Sequence, residues 1–305
     1  MSLKSFSDFL SFEKKYSSNT ILAYSKDVEK FQHFLLKCFD ISDLKKAHYS
    51  EIRRWITVLV DSGLTNRSVN RKISSLRSYY NFLIKTGSIR YSPLVKHKAL
   101  KENKKIYVPF SEQEINDVLK SFNGNDFETI RDRLIIELLY CTGMRRNELI
   151  KVKIKDIDFI QERIKVLGKR KKERYIPLVG PLKKSLNNYI YYRKQLKIIK
   201  DSELLFLTKK GAKLYGAIVY RIVKIYFQIV SSKVKKSPHI LRHSFATHLL
   251  KNGADLNAVK ELLGHSSLAA TQIYTNNNIS ELKKIYKNTH PRQSKIRWVL
   301  INNLV

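Results

Sequence analysis

Three histidines and an arginine interrupt the largely apolar run PHILRHSFATHLL, residues 238–250. Side chains of these types hold a metal, line a helix face, or hold an anion. On a helix, His239 and His243 are four apart and share a face, the spacing with which a zinc-binding helix presents two imidazoles. A metal also needs a third ligand and supporting carboxylates, yet residues 237–250 contain no Asp, Glu or Cys. His248 falls about 180° from His239 around such a helix. The metal reading is therefore the weaker one. Arg242 is more telling. Leu241, Phe245 and Leu249 form an apolar stripe, and Arg242 sits beside it. A guanidinium at the edge of a core needs an anion. A carboxylate from elsewhere in the chain would serve, and so would a phosphate gripped by both arms of the fork.

Other residues fit the same chemistry. In YCTGMRRNEL, Gly143 ends a helix and Arg145 opens the next, with Glu148 three residues on. The turn GKRKKER carries Lys169, which can reach a substrate or simply be solvated; Lys172 and Arg174 are candidate DNA contacts beside it. Gly264 stops another helix, and His265 follows directly. Ser266 or Ser267 then caps a short helix ending at Tyr274, nine residues beyond His265.

Helices must position these groups. NTILAYSKDVEKFQHFLLKCF places Ile21, Tyr24, Val28, Phe31 and Leu35 at helical spacing, with Ser18 or Asn19 as N-cap. A second amphipathic helix stops near Gly63. A third, ending at Gly87, buries Val69, Ile73, Leu76, Tyr80 and Leu83. Its opposite face carries Arg67, Asn70, Arg71, Ser75 and Arg77, a surface suited to a DNA groove or merely to solvent. Pro93 and a lysine-rich stretch then read as a basic linker over residues 93–110. Ser111 and Glu114 form a capping box that opens the next helix. Further on, MRRNELIKVKIKDIDF reads as a short helix. Ile164 and Val166 alternate toward Tyr175, Ile176 and Leu178 as two short strands, and ELLFL reads as another. Helices fill the rest to about residue 288.

Composition narrows the partners. Among 305 residues, 59 Lys and Arg face 26 Asp and Glu, a formal charge of +33. That excess points to a polyanion, nucleic acid first and an anionic membrane surface second. Cys38 and Cys141 lie in apolar helical contexts and read as buried free thiols, suiting a reducing cytosol. The N-terminus lacks the features of a signal peptide. No stretch approaches the roughly 18 apolar residues of a membrane span.

The stretches TGMRRNEL, LGKRKKERYIPL, HILRHSFATHLL and LGHSSLAATQIYT closely resemble, in order and spacing, the catalytic motifs of tyrosine recombinases, nearest the Xer type. The resemblance spans about residues 110–292, and the third helix is similar, less specifically, to the family's core-binding domain. It implies a mainly α, two-domain C-shaped clamp. Residues 1–92 would form a helical, SAM-like DNA-binding domain and 93–110 the linker. Residues 111–305 would form a mixed α+β catalytic domain with a small antiparallel sheet. It implies Tyr274 as nucleophile, Arg145 and Arg242 on the scissile phosphate, His239 and His265 assisting proton transfer, and Lys169 protonating the leaving 5′-oxygen. Glu148 would support Arg145, while His243 and His248 would pack the helix or contact the backbone. No metal, cofactor or ATP is implied.

The implied partner is duplex DNA with paired half-sites, bound in a synaptic homo- or heterotetramer that admits a paralogue and an activating DNA translocase. The implied location is the cytoplasm, on the nucleoid. The implied role is chromosome-dimer resolution. An integrase or transposon recombinase, a type IB topoisomerase-like relaxase and a non-catalytic DNA-binding protein are the alternatives. THPR is where many members end. Ile285 and Tyr286 face either a neighbouring protomer or their own domain, and residues 295–305 extend beyond the usual end.

Overall fold

A computed structural model describes residues 3–102, 107–168, 173–264, 285–286 and 288–292. Backbone contacts divide the chain into two compact units, residues 1–105 and 106–305. The division falls inside the basic stretch 93–110. Among the described residues, no helix is long and apolar enough to cross a membrane.

The first unit is helical: α1 (Leu3–Asp8) with a single π turn after it, α2 (Ser18–Phe39), α3 (Tyr49–Asp61) and α4 (Asn66–Lys85). The N-cap of α2 is Ser17, one residue before the expected position; its hydroxyl accepts from the Thr20 N–H. The five apolar residues expected on α4 are all buried. They meet Phe31 and Trp55, whose rings lie 5.0 Å apart. Tyr80 keeps its hydroxyl satisfied by donating to the Leu44 carbonyl. Cys38 is exposed rather than buried. It lies in the last turn of α2, which runs past what it packs on and leaves Leu36 and Phe39 exposed too.

One buried carboxylate ties α2 to α4. Asp27 accepts from Arg71 at 2.6 Å, Lys72 at 2.8 Å and Ser75 at 2.9 Å. Burial alone would raise its pKa; the donors Arg71, Lys72 and Ser75 outweigh burial, and the net value is lowered. Its stabilising contribution is therefore present above the ordinary carboxylate pKa and is lost as pH falls through the depressed folded value. Asp27→Ala would strand Lys72 in the interior. It is expected to cost about 3 kcal/mol of stability, read from chemical denaturation. An unchanged transition midpoint would contradict this.

The second unit is built on α6 (Phe127–Thr142), which packs against α8 (Gly180–Lys194) and α10 (Pro238–Lys251). The other helices are α5 (Glu112–Lys120), the four-residue α7 (Arg146–Leu149), α9 (Gly216–Val230) and α11 (Leu256–Leu263). The expected capping box at Ser111 and Glu114 is present on α5. Three antiparallel strands form the sheet: β1 (Ile157–Asp158), β2 (Arg163–Leu167) and β3 (Glu173–Pro177). The helix expected after Arg145 covers only Arg146–Leu149; a 3-10 turn at Ile154–Asp156 and then β1 follow it. ELLFL forms no strand; isolated bridges Lys153–Leu204 and Leu207–Lys213 are all that remain of it.

Gly143 shows why α6 must stop where it does. Its φ is +58°, and a Cβ there would lie 2.4 Å from the Phe245 ring on α10. The glycine therefore permits both the left-handed turn and the close α6–α10 approach. The turn delivers Arg145 at its end.

Candidate active site

Arg145 is the N-cap of α7. Its backbone N–H donates to Glu148 Oε2 and its guanidinium to Glu148 Oε1, each at 2.8 Å. Glu148 is itself buried. Burial would raise its pKa, but hydrogen bonds from Arg174 and Arg145 outweigh it and hold the carboxyl below its ordinary value. Glu148 is thus an anion at neutral pH that fixes Arg145 and leaves that side chain 41% exposed.

Arg242 lies beside the stripe formed by Leu241, Phe245 and Leu249, all buried as expected. The anion sought for it is not a carboxylate. Its guanidinium donates to the Gly143 carbonyl at 2.5 Å and the Leu263 carbonyl at 2.6 Å. These oxygens belong to the C-terminal ends of α6 and α11, where unpaired carbonyls and the helix dipole favour a cation. Burial pushes the Arg242 pKa down to about 10, with Arg145 adding to the effect and Glu148 opposing it. The group stays charged at neutral pH.

The two arginines converge on one place. Arg145 also reaches the Gly264 carbonyl at 3.4 Å, adjacent to the oxygen held by Arg242. Residue 265 follows directly in the chain. Near this cationic pair, His239 presents an exposed edge in the first turn of α10. Partial burial lowers its pKa, and Lys235, Arg242, His243 and Arg145 lower it further. Its imidazole is neutral at physiological pH and free to accept a proton. Two guanidiniums and a neutral imidazole thus lie close enough to influence one another electrostatically.

His243 is exposed, whereas His248 is buried and its Nδ1 lies 2.9 Å from the Tyr140 hydroxyl. His248 therefore packs α10 on α6. Among the described residues, no group of three His, Cys, Asp or Glu is placed to hold a metal. Lys169, Lys172, His265 and Tyr274 lie outside the described residues.

The polar face of α4 divides in three. Arg67 is exposed, and Arg71, one turn on, is half-exposed despite its bonds to Asp27. Asn70 and Arg77 face the returning segment after Pro93. Asn70 brackets the Leu100 backbone and reaches Glu102, and Arg77 donates to the His97 carbonyl. Ser75 is fully buried on Asp27, so it is not on the surface that would meet DNA. Arg174 is also inside, at 4% exposure. It pairs across the hairpin with Val166 and is in phase with Ile176, which places it on the core face of β3. Both residues are corrections to the expected DNA contacts. Asp27, and the carbonyls of Leu262, Leu263 and Gly264, are the features sequence reasoning missed. The period-two phase of Arg174 with Ile176 was the available signal.

The described tail residues, 285–286 and 288–292, pack on their own domain. Tyr286 is fully buried, donates to the Cys141 carbonyl and stacks on His290 at 4.7 Å; Ile285 packs partly buried against the same core. Burial pushes the His290 pKa down to about 3, with Arg292 and His248 adding to it. Arg292 bonds Glu137, and Asn252 holds the Thr289 carbonyl at 2.8 Å.

Comparison with known proteins places this arrangement. Residues 109–281 match the phage integrase family, and residues 3–87 match its N-terminal SAM-like domain. Tyrosine recombinase XerC of Bacillus subtilis is 36% identical over 296 residues, covering 96% of this chain and 97% of that protein. Tyrosine recombinase XerD of Staphylococcus aureus is 37% identical over 285 residues, covering 93% and 96%. In structure, the XerH recombinase bound to palindromic difH substrate matches with a TM-score of 0.69 at 24% identity, over 97% of this chain and 84% of that one. The Tn1549 transposon integrase in complex with circular intermediate DNA matches at 0.68 with 21% identity, over 97% and 98%. Those two likenesses speak to the fold, and the sequence matches along nearly the whole length speak to kinship: the chain belongs to the phage integrase family of tyrosine recombinases.

Proposed function

We propose that this protein cuts and rejoins duplex DNA at a specific site through a covalent 3′-phosphotyrosine, and that its sites lie where replicated chromosomes must be resolved. The convergence of Arg145 and Arg242 at the end of α11 carries the chemical part of this reading. Relatives named XerC and XerD support the chromosomal part. Tyr274 attacks the phosphorus and expels the 5′-oxygen. The two guanidiniums stabilise charge on the non-bridging oxygens, a role preorganised donors perform without reorganising. His239, neutral beforehand, and His265 take up the phenolic proton. Lys169 supplies one to the leaving oxygen. The phosphotyrosine conserves the bond, so rejoining needs no ATP. Two half-sites per duplex and four protomers per synapse follow from exchanging two strands on each of two duplexes. A paralogue in that tetramer and a translocase acting on it complete the proposal.

His239 gives a pH test. Its depressed pKa means the neutral form persists below the ordinary histidine value of 6.5. Single-turnover cleavage should stay flat through neutral pH and fall as acid protonates the ring, with a midpoint below 6.5. An acid limb that is unchanged in His239→Gln would contradict the assignment.

The charge of +33 gives a second test. Arg67 and Arg71 share a face of α4 with exposed guanidinium surface. Removing both charges (Arg67→Gln with Arg71→Gln) should weaken DNA binding and flatten the log–log salt slope by about 1.8, or about 0.9 per phosphate. An unchanged slope would move the phosphate contacts off this face. Mapping covalent cleavage positions across the host chromosome tests the biological role. A single symmetric site near the terminus of replication is expected, and dispersed sites would contradict it.

A further inference from the structure

We propose that Arg174 is a positioning residue for strand cleavage, acting through Glu148 and the end of α11 rather than on DNA. Every nitrogen of its guanidinium is committed inside the domain. Nη1 and Nη2 fork onto the two oxygens of Glu148 at 3.2 and 2.8 Å, and Nε donates to the Leu262 carbonyl at 3.0 Å. Glu148 therefore holds Arg174 with the same two oxygens that fix Arg145.

The second half of the argument lies at α11. Its last carbonyls, Leu262, Leu263 and Gly264, are each taken by a different arginine: Arg174 from β3, Arg242 from α10, and Arg145 from the α6–α7 turn. Three elements distant in sequence are thus locked to one helix end. Gly264 has a φ of +63°, and a Cβ there would lie 3.2 Å from Arg174 Cδ and Nη1. The stem of Arg174 occupies the space a side chain at 264 would need. Arg174 therefore touches neither substrate nor DNA, but fixes the starting geometry of the two arginines assigned to the phosphate, Arg145 and Arg242.

Stability alone does not call for an ion pair at this place. Exchanging both members of a buried pair for apolar residues often costs little, whereas removing Arg174 alone takes a partner from buried Glu148 and lowers stability. The neighbours of Arg174 on that face, Ile164, Val166 and Ile176, are apolar already. An arginine there matters for orientation, and small misplacements of catalytic groups cost as much as 10²-fold in rate (order of magnitude).

The inference rests on the reading that Arg145 and Arg242 face the scissile phosphate. Its test uses the full chain, a nicked suicide duplex carrying the cleavage site, and Arg174→Lys beside the apolar Arg174→Met. Lysine keeps the charge but cannot bond both oxygens of Glu148 and the Leu262 carbonyl together. Affinity, its salt slope and the single-turnover cleavage rate at saturating DNA are measured for each. Arg174→Lys is expected to bind with unchanged affinity and slope, and to cleave about 10²-fold more slowly. Adding Arg174→Lys to Arg145→Ala should bring less than its full separate loss, since part of its effect runs through Arg145. Should Arg174→Met fail to fold, Arg174→Lys decides by the same measurements. An unchanged rate at saturating DNA, full additivity with Arg145→Ala, or, in the uncharged Arg174→Met, a loss confined to affinity with the slope reduced by about 0.9 would each overturn the proposal; the last would make Arg174 a phosphate contact. If Arg145→Ala itself leaves the rate unchanged, the underlying reading of the phosphate site fails instead.

Discussion

Arg242→Ala is expected to lower single-turnover cleavage by at least about 10²–10³-fold while leaving DNA binding measurable. The residue has two jobs. Its guanidinium closes the ends of α6 and α11 by bonding Gly143 and Leu263, and it supplies one of the two cations at the proposed phosphate. Alanine removes the cation and leaves two buried carbonyls without a donor, each costing about 1–3 kcal/mol. The variant should therefore melt lower as well as cleave more slowly. Arg242→Lys separates the effects: it keeps a charge yet cannot span both carbonyls and still present a fork. A strong loss of rate in Arg242→Lys with modest loss of stability is the expected pattern. Full cleavage by Arg242→Lys would show that charge alone suffices and that the geometry at the two helix ends is irrelevant.

Tyr274→Phe should abolish the covalent adduct outright and leave affinity intact, because it deletes the oxygen proposed to bond to phosphorus. Three buried tyrosines of the same unit are poor substitutes. Burial raises the pKa of Tyr140, Tyr189 and Tyr286, and each hydroxyl is engaged: with His248, the Leu205 carbonyl and the Cys141 carbonyl respectively. A phenol has an ordinary pKa near 10, so the nucleophile needs cations nearby rather than burial. Adduct formation by Tyr274→Phe on a nicked substrate, measured on denaturing gels, would remove Tyr274 from the role.

The helices of this molecule were legible because their signals are local. The apolar stripe of α4, the capping box of α5 and the stop at Gly143 each lie within a few residues of what they specify. Arg145, Glu148, His239 and Arg242 could be picked out for the same reason, as charged groups at turns or beside apolar stripes. Their partners could not. Arg242 lacks an acid in its own segment, which suggested a carboxylate or phosphate. The actual neighbours are carbonyls from Gly143 and Leu263, and backbone oxygens carry no mark in a sequence. Ser75 went astray because its partner Asp27 is 48 positions away. Arg174 went astray because the basic turn masked its phase with Ile176. Cys38 was judged by its apolar neighbours, which are themselves exposed where α2 outruns its support.

The most direct measurement is to trap the protein on a nicked suicide duplex in EDTA, digest the denatured adduct and identify the modified peptide and the DNA end it carries. In the proposed chemistry Arg145, Arg242, His239, His265 and Lys169 supply the charge and proton transfer, so chelation should not slow the reaction. A phosphotyrosine at residue 274 joined to a DNA 3′ end, with a free 5′-hydroxyl on the released strand, is the expected result. Attachment at another residue, a 5′ linkage, or loss of the adduct on chelation would contradict the chemistry assigned to this site.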